Sequence, residues 1–295
     1  MDIKWIVILG QANINNESIT NIPYMFTNTE GKEQDAFTLI SSNQYFDNGD
    51  IQFKAILGDP LAKLEIILNN NTNLPKVNIG FIGGNNAFGI SKFKDGKWEF
   101  LSNVGDVRNF KTNREYDVRI EVYGSQINFY IDSVLIASVQ DVIKKAQIQV
   151  LMSKIVSLKD FKVTLKQPKL FVVMQFSDDY NQLFCEVIKP VAEKFGFECI
   201  KADDIFTTGT ILQDIINLIT ESSVIIADIT PDNPNVFYEV GYSHAIGKPT
   251  ILLCDRKRTK LPFDVSGFRT IFYDNTIAGK STVEKSLEKF LTNII

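Results

Sequence analysis

What is scarce in this chain excludes more than what is abundant. A single histidine, His244, and three cysteines serve all 295 residues. That removes zinc fingers, His-rich metal sites and any triad needing a histidine other than this one. Cys185, Cys199 and Cys254 are far apart, odd in number and without a CxxC spacing. They read as reduced, mostly buried thiols of a cytoplasmic protein. Basic charge is also in deficit, with 31 Lys and Arg against 35 Asp and Glu and a net charge of −4. No bulk positive field exists to hold a nucleic-acid backbone. Long apolar runs are missing too. Trp5 to Leu9 is too short for a secretory h-region and lacks a small-residue cleavage site. No stretch reaches the ~18 apolar residues of a membrane span. The expectation is a soluble intracellular protein with neither membrane nor nucleic acid as partner.

What is present is ordinary globular composition, 44% hydrophobic and 22% charged, in a length suited to two domains. The grammar of the two halves differs. Up to residue 166 the chain reads as strands. Val118, Ile120 and Val122 alternate with Arg119, Glu121 and Tyr123; Gly124-Ser125 turns the chain, and Ile127, Phe129 and Ile131 resume the alternation. A second hairpin spans Ser91 to Phe100, with Asp95-Gly96 as its turn. Further strands are expected at 51–57, 62–68, 77–82, 148–152 and 161–165. Many short strands without a long amphipathic helix predict an antiparallel β-sandwich over residues 1–166.

After Gln167-Pro168 the pattern changes. Lys169 to Phe176 is a near-continuous apolar run, as expected of a strand buried on both faces of a parallel sheet. Strands at 197–201, 224–229, 250–254 and 270–273 then alternate with helices from Asp178 to Gly196 and at 211–221, 235–246 and 281–293. This predicts a doubly wound α/β domain over 168–295, with the common strand order 2-1-3-4-5. The acidity divides at the same place. Residues 1–166 hold 18 basic and 18 acidic residues, so all of the net charge of −4 falls in the second half.

Open α/β sheets bind ligands at the carboxyl ends of the strands where strand order reverses. The loops lining that crevice should be 175–179 and 228–236, and the second feeds a helix carrying Glu239 in its opening turns. No GxGxxG or P-loop follows the first strand, which argues against dinucleotide redox and NTPase chemistry. The run ADITPDNPNVFYEVGYSHAIGKP (227–249), with 171–203 before it and 261–274 after it, resembles a bacterial family related to nucleoside 2-deoxyribosyltransferases and TIR domains. That resemblance implies a flavodoxin-like fold and a catalytic glutamate that cleaves N-glycosidic bonds; by position it is Glu239. It further implies an NAD glycohydrolase acting as a regulated antiphage effector, with NAD or a related nucleotide as substrate and no bound cofactor. One carboxylate would suffice, because nicotinamide in NAD is already a cationic leaving group, whereas O-glycosidases need a pair. Phe176, Ser177, Asp178, Asp203, Asp228, Asn233, Asn235 and Tyr238 are the expected substrate contacts. The alternatives are a deoxyribosyltransferase or nucleotide N-glycosidase using the same glutamate, and a non-catalytic nucleotide- or glycan-binding sensor.

Plainer roles stand beside these. Asn235 suits a helix cap, and Ser177-Asp178-Asp179 an N-terminal turn. Tyr238 and Tyr242 suit core packing, His244 a structural position, and Lys248 a charge complementing its helix end. The stretch REYDVRIEVYGSQINFYIDSVLIASV (114–139) is similar to the paired strands of concanavalin A-like and laminin G-like sandwiches. This implies a sensing or assembly module for a glycan, phage or protein trigger. No acidic pair for glycosidase work and no calcium site is evident in it. Self-association is expected, with Ile205, Phe206 and Gly209 of loop 202–209 as its contact and hinge.

Overall fold

The computed structural model describes residues 3–29, 31–202, 211–258 and 260–294. Two compact units divide the chain. One comprises residues 1–122 and 126–166, the other 167–295 with 123–125. The boundary lies where the hydrophobic period changes.

The first unit is a sandwich of two seven-stranded sheets. In spatial order, one sheet runs Trp5–Leu9, Phe37–Phe46, Ala146–Ser153, Lys63–Leu68, Lys76–Phe81, Asn86–Lys94, Lys97–Asp106. The other runs Val134–Gln140, Gln126–Ile131, Glu115–Tyr123, Gly49–Leu57, Val156–Leu165, Ser18–Asn21, Ala12–Ile14. The pairs are antiparallel, and strands distant in sequence lie side by side, as in a jelly roll. Alternation explains the packing. Val118, Ile120, Val122, Ile127, Phe129 and Ile131 all enter one core with Leu64, Ile66, Ile79 and Phe81. The expected 91–100 hairpin is present, with Lys94 opposite Lys97 across Asp95-Gly96.

The second unit has a five-stranded parallel sheet. In chain order its strands are Lys169–Val173, Glu198–Lys201, Ser222–Asp228, Thr250–Asp255 and Thr270–Tyr273, and their spatial order is 2-1-3-4-5. Apolar side chains on its two faces form two separate cores, one under the Ile277–Ile294 helix and one under the Ile211–Glu221 and Pro234–Ala245 helices. The helix from Asp178 to Lys194 contains a π turn at Phe184–Ile188. Pro190 stands two residues beyond it, and its missing N–H accounts for the irregular ladder. A short helix, Phe263–Ser266, occupies what reads in sequence as loop. Among the described residues, no helix is long and apolar enough to cross a membrane.

Candidate functional site

In the α/β unit the strand ends do form a crevice, but the expected contacts do not converge on it. A cavity of about 120 Å³ is lined by Asp179, Tyr180, Thr230, Asp255, Tyr273 and neighbours. Neither Asp228 nor Glu239 lines it. Asp228 is only 2% exposed. Its Oδ1 accepts from Thr230 Oγ1 at 2.5 Å and from the Thr230 amide at 2.9 Å, and its Oδ2 accepts from Tyr273 Oη at 2.6 Å. Burial pushes this carboxyl above its usual range against those hydrogen bonds. Asp228 therefore ties the Thr230 turn to the Tyr273 hydroxyl. Tyr180, beside it, is pushed up to about 12 by burial and the Asp228 charge.

Glu239 stands alone. It is partly buried, its carboxyl makes no hydrogen bond or ion pair among the described residues, and burial lifts it to about 7. A carboxyl with a native value near 7 and an unfolded value near 4.5 stabilises the fold below about 4.5. That contribution is lost as pH rises through about 7. Glu239→Gln should therefore be more stable than the parent at pH 8 and lose that advantage near pH 4, which thermal melts at the two pH values will read.

The structure places the other expected contacts as follows. The helix cap is Asn233, whose side chain accepts from the Asn235 amide at 3.0 Å; Asn235 lies inside the helix and is exposed. Pro234 at the first helical position sets that start, because its φ is fixed and it has no N–H to satisfy. Ser177 occupies the cap position of the Asp178–Leu183 helix without a side-chain capping bond, and Phe176 and Asp178 are exposed. Tyr238 is half exposed and absent from the core, unlike Tyr242, which packs against it. His244 is structural, stacked on Phe268 at 3.9 Å between ring centroids. Cys185 is exposed and only Cys254 is buried. Asp203, Ile205, Phe206 and Gly209 lie outside the described residues.

A more developed site lies on the sandwich, on the face of the first sheet that points away from the core. Strand registers place Ile6, Ser41, Gln149, Ile67, Asn78, Ser91 and Phe100 in one row across it. The adjacent row runs Leu39, Leu151, Glu65, Gly80, Gly89 and Asn103. Alternation requires this, since Leu64, Ile66, Ile79, Val150 and Ile90 occupy the core face. The floor is polar and sheltered: Ser41, Glu65, Asn78, Ser91 and Gln149 are all buried. Glu65 Oε2 accepts from Asn78 Nδ2 at 3.0 Å, and burial raises the Glu65 carboxyl. Gln149 Oε1 is buried without a hydrogen-bond partner, a state that a bound donor would relieve. Gly80 keeps the floor low at a positive φ of 150°; a Cβ there would sit 2.1 Å from the Leu64 carbonyl oxygen.

Apolar side chains bound this floor at both edges. On the last two strands Phe93, and at the edge Trp98 and Phe100, are 42%, 51% and 58% exposed, and the Phe93 and Trp98 rings lie 5.1 Å apart. Ile6 and Leu9 stand exposed at the opposite edge. The outer face of the second sheet offers a contrast. There Arg119 bridges Asp50 at 2.9 Å and also pairs with Glu121, while Tyr130 donates to Glu121 at 2.9 Å. That cluster is satisfied internally. The first-sheet site was not picked out in the sequence, although its strands at 62–68, 77–82, 91–100 and 148–152 were; Trp5–Leu9 and Phe37–Phe46 were not. Its signal is a polar residue of low exposure at outward strand positions, Glu65 in KLEIIL and Asn78 in KVNIGF, with glycines beside them.

No family model and no curated protein matches the chain. Solved structures do, each over a share the size of the sandwich unit. One is a carbohydrate-binding module, CBM66 from Bacillus subtilis, at 13% identity and TM-score 0.43, covering 53% of this chain and 92% of that one. A beta-glucanase from Bacillus licheniformis has 11% identity and TM-score 0.37, covering 55% and 92%. The laminarinase catalytic domain from Thermotoga maritima MSB8 has 9% identity and TM-score 0.40, covering 55% and 91%. The expectation of an NAD glycohydrolase is overturned. These three are a carbohydrate-binding module, a beta-glucanase and a laminarinase catalytic domain, and none is an NAD-cleaving enzyme.

Proposed function

We propose that the chain is a glycan-binding protein whose ligand lies across the outward face of the sandwich's first sheet. The observation that carries this reading is the pairing of a sheltered polar floor with an exposed aromatic edge. Sugars present both surfaces at once: hydroxyl groups for amides and carboxyls, and flat C–H faces for aromatic rings. Glu65, Asn78, Gln149 and Ser91 supply donors and acceptors for the first, while Trp98 and Phe100 supply platforms for the second. No lysine or arginine belongs to the two central rows, which suits an uncharged sugar. Binding is favoured over hydrolysis because Glu65 is the single carboxylate in those rows, whereas O-glycosidases position two, about 5–9.5 Å apart.

Affinity electrophoresis in gels containing soluble neutral glycans tests this. Retardation of the parent protein by at least one glycan, and weaker retardation of Gln149→Leu, is the expected result. Equal mobility in every gel, with and without glycan, would remove the proposal.

A further inference from the structure

The α/β unit holds a second cavity that no part of this reading uses. It measures about 370 Å³, within the usual range of small-molecule sites, and lies between the Pro234–Ala245 helix and the Phe263–Ser266 helix. Its walls are flat and mostly apolar, built from Pro234, Phe237, His244, Pro262 and Val265. Gly241 explains why the space is empty. It sits inside a helix, where glycine is unfavourable, and a Cβ at this position would meet nothing within 4 Å. A larger side chain at this lining position would take up space at the slot.

The slot's own ionisable residues other than His244 are acidic, while Arg258 sits beside it over the Phe237 ring, 5.6 Å from its centroid. Asp232 and Asp264 are the ionisable lining residues apart from His244, and no lysine or arginine joins them. Asp232 is already ion-paired with Arg258. Asp264 is exposed and makes no hydrogen bond or ion pair with any described residue. Burial lowers the His244 imidazole from its usual value, so at neutral pH it adds no positive charge to the slot. The four excess acidic charges of the chain all fall in residues 167–295, which draws cations toward this unit.

We propose that this slot binds a protonated amine carried on a flat aromatic body. The ring would lie between the aromatic and proline walls, and the ammonium would meet Asp264, with ring faces nearby to favour the cation. The proposal is independent of the glycan reading, since it involves the other unit.

Calorimetric titration of the full chain with tryptamine and with indole-3-propionate tests it, because the two share a ring and differ in charge. Tryptamine should bind at least about tenfold more tightly. Asp264→Asn, a surface change that leaves folding intact, should remove most of that difference by weakening tryptamine alone. Gly241→Leu should abolish binding of both while circular dichroism and the melting transition show a folded protein. Equal affinity for the two indoles, unchanged tryptamine binding in Gly241→Leu, or no heat with tryptamine up to about 10 mM would each overturn the proposal. Should Gly241→Leu fail to fold, the Asp264→Asn comparison still decides it.

Discussion

Replacing Trp98 and Phe100 together by alanine should lower glycan affinity by roughly two orders of magnitude and leave the melting temperature almost unchanged. Each ring is more than half exposed, at 51% and 58%, so neither is needed to fill the core. An aromatic contact contributes about 0.5–1.5 kcal/mol beyond its buried area. Two contacts, with the apolar area that they cover, therefore sum to about 2–3 kcal/mol, and every 1.4 kcal/mol is a factor of about ten. The separation of effects is the informative part. A floor change such as Asn78→Leu should weaken binding and also destabilise the sandwich by about 1–3 kcal/mol, because it strips the buried Glu65 carboxyl of its hydrogen-bond donor. Edge variants should lower affinity alone. Titration calorimetry beside thermal melts reads both quantities.

The largest stability effect expected in the α/β unit is at Lys248. The sequence suggests a charge at the end of its own helix, but the side chain is 4% exposed and reaches elsewhere. Its ammonium donates to the Thr220 carbonyl oxygen at 2.6 Å and also to that of Ser222. It thus closes the C-terminus of the neighbouring Ile211–Glu221 helix, whose last carbonyls have no partner within the helix. Lys248→Met removes the buried amine from both carbonyls, leaving Thr220 only a longer bond from the Ser125 amide at 3.4 Å, and should cost about 2–3 kcal/mol at pH 9. Burial lowers the lysine to about 7 from an unfolded value near 10.5, so the unfolded chain binds the extra proton between those values. Stability of the parent therefore rises with pH from about 7 to about 10.5. The methionine variant lacks that slope, and its deficit should shrink toward pH 6. Urea titrations at pH 6 and pH 9 measure the difference.

Lys248 also illustrates where reading the sequence stops. Elements repeat locally and were legible. The alternation of Val118 to Val122, the Asp95-Gly96 turn, the buried run from Lys169 and the five-strand order all reappear in the structure. Cross-chain register was not legible. Glu65, Asn78, Ser91 and Gln149 come from four strands and are separated by up to 84 positions, yet antiparallel pairing sets them side by side. No local period encodes that row. The carbonyls held by Lys248 lie 26 and 28 residues earlier and are likewise invisible to spacing. Helix starts fell between these cases. Asn233-Pro234 carries a cap signal of its own, and Asn235 drew attention away from it. For Glu239, the place on the helix after the third strand was legible, and its half-buried setting was not.

The central claim is the location of the ligand on the first sheet's outward face. Hydrogen exchange of backbone amides, with and without a retained glycan, tests that location most directly. The account predicts slower exchange on binding in 63–68, 76–81, 86–106 and 146–153, with the 228–239 segment unaffected. Protection confined to 228–239, or to the second sheet's face around Asp50 and Glu121, would contradict it.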